Sequence, residues 1–111
     1  MSSQREDYLL RMIRQAAEAL RRLREALLGE ASPAEIEREA DTAIGELLGP
    51  RYGLLSSLDA LSAASLVADP RRIDLWANLL RVQAAARRQS GDEAGAGALE
   101  RRADALEGAL S

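Results

Sequence analysis

Carboxylates are the most abundant side chains in this sequence that could do chemistry. Glu35, Glu39 and Glu46 fall along one line of a helix, and carboxylates gathered on one stripe can bind a hard cation through oxygen. The competing reading is a solvated acidic face. Di-metal carboxylate sites also draw on His at Glu-x-x-His spacing, and the chain contains no His. That absence removes the commonest general base and transition-metal ligand. With no Cys there is no thiolate nucleophile, disulfide or Cys-based zinc site. With no Lys there is neither a Schiff-base nucleophile nor a Walker-type phosphate lysine. The glycine-rich run Gly91 to Gly97 lacks the Gly-Lys-Ser/Thr ending of a phosphate loop and follows a helical segment rather than a strand. A carboxylate pair or a Ser remains chemically possible. No constellation supplies nucleophile, base and oxyanion donor together, so the expectation is a non-enzyme without cofactor or metal.

The basic residues are all Arg. Arg71, Arg72, Arg81, Arg87 and Arg88 give one segment a local positive excess. At 100° per residue they spread around a helix, and only Arg81 and Arg88 align. Two uses follow: pairing with acidic segments of the same chain, or a phosphate- or nucleic-acid-binding patch. The net charge of −3 and pI of about 5.0 give no general attraction to nucleic acid or anionic lipid. Trp76, the only Trp, lies on the apolar face of that same segment with Leu79 beside it. The pair reads either as a core anchor or as a partner groove, since Trp is favoured at interaction hot spots.

Those side chains must be positioned by helices, because no stretch alternates with period two. The first helix is expected over 4–28, opened by a Ser3–Glu6 capping box and stopped near Gly29. Along it Leu9, Ile13, Ala16, Leu20, Leu23 and Leu27 repeat at alternating steps of four and three, a heptad stripe. The stripe can be the helix's share of the core, a self-association seam, or a membrane-surface face. A second helix over 33–48 starts at Ser32-Pro33 with Glu35 and ends at Gly49-Pro50. A connector follows, then a short helix over 57–68 with Leu58, Leu61 and Leu66 inward. Asp69-Pro70 opens a helix over 70–89. Asp92 caps a last helix over 93–110, in which Gly95 and Gly97 would let a neighbouring backbone approach. The longest uncharged run, Ala60 to Ala68, is far below the roughly 20 residues a membrane-spanning helix needs. Met1 to Asp7 lacks a signal-peptide pattern, so a cytoplasmic protein is expected. The Ala-rich, Arg-for-Lys usage suggests a bacterium with a GC-rich genome.

Two resemblances follow from the residues. Around the Gly91-Asp92 turn, Ala84, Ala96 and Ala103 occupy the small positions of a tetratricopeptide repeat, while Leu80, Arg87 and Glu100 stand where that repeat prefers aromatics. The likeness covers one helical pair, Ala77 to Leu110, and one pair cannot bury its own face. More broadly, Asp7-Tyr8-Leu9-Leu10-Arg11-Met12-Ile13, then Leu47-Leu48-Gly49, then Ala77-Asn78-Leu79-Leu80 resemble a small, uncharacterised bacterial family of short all-helical, tetratricopeptide-like proteins. Ala84 stands where a Gly is expected in that family and Arg87 where a Tyr is expected. The resemblance implies a fold and no chemistry.

The sequence therefore predicts one all-α domain over 1–111, an antiparallel array of four to five helices with a tetratricopeptide-like C-terminal pair. It would bury about two thirds of its unfolded-chain surface. A core of Leu and Ala buries little area per residue, so homodimerisation through the first helix is expected. The predicted function is a non-catalytic protein-interaction scaffold with an unknown protein partner and no membrane. The alternative is a nucleic-acid-associated regulator using the arginines of the 70–89 segment.

Overall fold

Short polar side chains set most of the helix boundaries. Ser32, in extended backbone, accepts a hydrogen bond from the Glu35 amide at 3.1 Å, and Pro33 takes the first helical position. Asp69 receives the Arg71 amide at 2.9 Å ahead of Pro70. Asp92 receives the Gly95 amide at 2.9 Å. The computed structural model describes residues 2–110, with side chains from Gln4 to Leu110. Among the described residues the elements are α1 (Ser2–Leu28), α2 (Pro33–Leu48), a 3-10 turn (Gly49–Arg51), α3 (Tyr52–Ser57), α4 (Ala60–Val67), α5 (Pro70–Gln89) and α6 (Glu93–Gly108), with no strand. The fold is all-α. The Ser3 side chain of the expected first capping box lies outside the described side chains.

The stretch between α2 and α5 departs from expectation. Instead of a connector and one helix over 57–68, it holds two short helices. Asp59, in extended backbone, accepts from the Ser62 amide and caps α4, so the helical run breaks at Leu58 and Asp59. The inward residues also differ. Leu61 is 66% exposed and Leu66 is exposed, while Ala63, Ala64 and Val67 are buried. α4 is apolar around most of its circumference, so the sequence did not say which face turns inward. α4 packs against α6 and α5 through its smaller side chains, which allow the closest approach.

Ion pairs and carbonyl contacts reveal the helix directions. Arg72 and Arg87, at opposite ends of α5, reach Leu47 and Glu37 at opposite ends of α2, so α2 and α5 are antiparallel. Arg81 meets Asp104 and Glu107, and Arg88 meets Glu93 and Glu100, so α5 and α6 are antiparallel. Gln89 donates to the Leu27 carbonyl at 3.1 Å, and Glu6 adds to the field that Asp69 places on Arg71. α1 therefore runs parallel to α5. α5 is the central helix: α1, α2, α4 and α6 all pack on it, and ten of its residues are buried, from Ile73 to Ala86. At 1.5 Å per residue the 27 residues of α1 span about 40 Å, against about 24 Å for the 16 of α2. α1 consequently runs past the end of α2 and lengthens the molecule to 48 Å.

Two backbone positions carry specific demands. Gly49 takes φ +72 as it turns the chain out of α2, a conformation glycine adopts without steric cost. Ala68 takes φ 66 at the end of α4, where a Cβ is strained. The expected close backbone approach at Gly95 is a side-chain approach instead. A Cβ at Gly95 would strike the Asp92 carboxylate and lie 2.9 Å from the Arg87 guanidinium, and Gly97 likewise faces Arg101 Nη1 at 3.2 Å.

Three substitutions test this packing by thermal or urea unfolding. Gly95→Ala should lower stability by about 1 kcal/mol, because displacing the Asp92 cap outweighs the better helix propensity of Ala. Ala68→Gly should raise stability by about 1 kcal/mol by relieving the positive φ. Leu23→Ala should lower it by about 3 kcal/mol by opening a cavity at a fully buried site. A Gly95→Ala protein more stable than the parent would overturn the account of the α6 cap.

Candidate interaction surface

The heptad stripe of α1 divides along its length. Ala16, Leu20 and Leu23 are buried in the chain's own core, Leu23 completely. Leu27 and Ile13 are half-buried against that core, and Leu9, nearer the start of α1, is partly exposed. From Ala16 onward the stripe is intramolecular core, because α2 and α5 lie level with it. A self-association seam built on Ala16, Leu20 and Leu23 is thus ruled out for the folded chain. Only the first turns, with Leu9 and Ile13, remain partly open. Tyr8, 59% exposed, and Leu10 flank Leu9 there.

Trp76 and Leu79 do not form a partner groove. They are 1% and 0% exposed, because α5 is covered on several sides by its neighbours. The Arg102 guanidinium lies over the Trp76 ring, 5.3 Å from its centroid. The same guanidinium donates to the carbonyls of Leu58 at 2.9 Å and Leu55 at 3.0 Å. One side chain of α6 therefore stacks on α5 and satisfies the open end of α3, combining a cation–π contact with a planar two-pronged donor. Nothing in the spacing of the sequence singled out Arg102.

The α5 arginines are each engaged within the chain. Arg71 pairs with its own helix cap, Asp69, at 2.8 Å. Arg72 donates twice to the Leu47 carbonyl, at 2.8 and 3.2 Å, and burial pulls its pKa down from the usual arginine value. Arg81 holds Asp104 and Glu107 of α6. Arg87 bridges Glu37 at 2.7 Å and Asp92 at 3.1 Å. Arg88 reaches Glu93 and Glu100, and its side-chain bonds hold the Glu100 carboxyl below the usual range. The pairing partners are α6, α2 and the α5 cap.

Two clefts flank α2. On one side Glu37, Arg38 and Asp41 of α2, Gln83 and Arg87 of α5, and Leu99 of α6 line a cleft of about 490 Å³. Its groups are already coupled. Gln83 donates to the Glu37 carbonyl at 3.3 Å, and the Tyr52 hydroxyl donates to Asp41. Burial, with the Asp41 carboxylate, pushes the Tyr52 pKa up to about 12. On the other side lies the α1–α2 cleft, lined by Arg11, Arg14, Gln15, Glu18, Ala19, Arg22 and Glu46. It continues past Glu39, Thr42 and Ala43. Its floor is small, its α1 wall carries three arginines, and its α2 wall carries glutamates. Among the described residues, none of Arg11, Arg14, Arg22, Glu35, Glu39 and Glu46 makes an ion pair within the chain. The line Glu35, Glu39, Glu46 is exposed, and no group of three acidic residues among the described ones is arranged to hold a metal ion. The sequence marked this acidic line but not the arginine wall across from it. Among the described residues no helix is long and apolar enough to cross a membrane.

The Tyr52 bond gives a pH dependence of definite sign. Its folded pKa lies above the ordinary tyrosine value of about 10, so its contribution is complete below pH 10 and is lost as pH rises toward 12. Stability measured by urea unfolding should fall between pH 10 and 12, and Tyr52→Phe should flatten that fall. An identical alkaline slope in the two proteins would remove Tyr52 from the account. Separately, Arg102→Lys should cost about 2 kcal/mol, since a lysine cannot stack on Trp76 and hold two carbonyls together.

No family model, curated protein or solved structure matches the chain.

Proposed function

We propose that the protein is a non-catalytic, tetratricopeptide-like helical scaffold that self-associates and presents the free turns of α1 to a protein partner. The observation that carries this reading is the overhang of α1. Its apolar stripe continues to Leu9, beyond the stretch that shares the cleft with Glu46 of α2, and Tyr8 and Leu10 stand exposed beside it. Exposed aromatic and aliphatic side chains grouped on one helical end favour protein docking, with tyrosine a frequent anchor. The α5–α6 pair supports the tetratricopeptide-like part of the reading. Its antiparallel helices bury Ala84, Ala96 and Ala103 completely, as the small positions of such a repeat require. The engaged arginines of α5 leave the chain's remaining polar recognition on the α1–α2 cleft.

The test is site-specific photo-crosslinking in cells, with the crosslinker placed at Tyr8 or Leu10 and at exposed Ala98 as a control. The expected result is a discrete adduct from the α1 positions only, lost in a Tyr8→Arg/Leu10→Arg protein whose thermal melt is unchanged. Equal adducts from Ala98, or none from α1, would overturn the docking role of the overhang.

A further inference from the structure

We infer that the α1–α2 cleft is the self-association surface and that its occupant is the same cleft of a second copy of this chain, related by a two-fold axis parallel to the helices. This rests on the self-associating part of the function proposed above and specifies its geometry. The argument is one of charge complementarity and symmetry. A two-fold interface sets one patch against itself, so the patch must be self-complementary. Here the patch is divided lengthwise into an α1 wall on which Arg11, Arg14 and Arg22 outnumber Glu18, itself paired with Arg21, and an α2 wall with Glu39 and Glu46.

Two face-to-face arrangements are available. A two-fold axis across the helices would lay α1 on α1, setting two walls of net positive charge against each other and the two glutamate walls of α2 likewise. A two-fold axis along the helices lays α1 of one copy on α2 of the other and preserves height along the axis. Arg22 shares its stretch of the cleft with Glu39, and Arg11 and Arg14 share theirs with Glu46. In the second arrangement Arg22 therefore meets Glu39 of the second copy, and Arg11 and Arg14 meet Glu46. Each such pair occurs twice. The facing helices are also antiparallel, which aligns their dipoles favourably. Ala19 and Ala43 on the floor permit close helix approach. The overlap of α2 with α1 is about 24 Å long and roughly 20 Å wide for two helices side by side, so the interface buries roughly 1,000 Å² in total. That area fits a reversible, salt-sensitive dimer rather than a permanent one.

Sedimentation velocity on the full chain over a concentration series, at about 50 and 500 mM salt, tests this. The expected result is a concentration-dependent dimer at low salt that weakens at high salt, where the Debye length shortens to about 4 Å and the charges of the two walls are screened from each other. Arg22→Glu and Glu39→Arg should each weaken dimerisation about tenfold or more. The double variant Arg22→Glu/Glu39→Arg should return it to within about threefold of the parent, the non-additivity of a direct pair. Both positions in this cycle are exposed, and thermal melts check folding. A protein monomeric at every concentration in low salt would overturn both this inference and the self-associating reading. A dimer that ignores the charge exchange, or in which the two substitutions simply add, overturns the geometry alone. If such a dimer dissociates in the Tyr8→Arg/Leu10→Arg protein, the self-associating reading survives with the α1 overhang as its seam.

Discussion

Every helix ends in carbonyls without partners of their own, and this fold meets that constraint across the tertiary structure. Arg102 shows it most fully: stacked on Trp76 in the core, it also closes the end of α3 through the Leu55 and Leu58 carbonyls. Arg72 does the same for α2 at Leu47, Arg51 for α4 at Leu66, and Gln89 for α1 at Leu27. Orphan carbonyls of this kind must be satisfied by some donor. A guanidinium suits the task, because its planar donors reach two acceptors while its face lies on apolar atoms. These long polar side chains tie the four helix ends to distant helices, so the loops need only be short.

This use of arginine accounts for two features of the composition at once. The core is built of Ala and Leu with one large aromatic side chain, and small residues bring helix axes close at the expense of buried area. The bonds between helices offset part of that loss, and no buried side-chain polar atom among the described residues lacks a partner. The same commitment divides the surface. The arginines of α5 are drawn inward by Glu37, Glu93, Glu100, Asp104 and Glu107, whereas those of α1 that line the α2 cleft stay open.

Much of the fold was legible in the sequence wherever a boundary carried its own chemistry. Ser32-Pro33 and Asp69-Pro70 define the starts of α2 and α5, and Gly49 defines a turn that needs positive φ. Legibility failed where the signal was not local. Leu58 packs on the core as expected, but Leu61 and Leu66 are as apolar as their neighbours, so only the docking of α4 on α6 decides that the smaller Ala63, Ala64 and Val67 face inward. An apolar face such as that of Trp76 and Leu79 announces burial without saying whether the cover comes from the same chain. Length settled the division of the α1 stripe: α2 is eleven residues shorter than α1, a comparison between elements that no single motif contains. For the α1–α2 surface, the glutamate line was visible as a helical repeat. Its arginine counterpart was not, because Arg11, Arg14 and Arg22 acquire meaning only when α2 is laid beside them.

The central position of α5 has a consequence for the order in which the protein can be completed. α1 and α2 precede α5 in the chain, yet the residues they bury, Leu20, Leu23, Ile36 and Leu47 among them, find their common neighbour only when α5 has been synthesised. Between the completion of α2 at Leu48 and that of α5 at Gln89, the apolar side of α1 and α2 lacks its cover. The charged cleft on the other side draws its lining from α1 and α2 alone. Its opposed rows of arginine and glutamate keep one side of the unfinished protein hydrated while the other waits for its core.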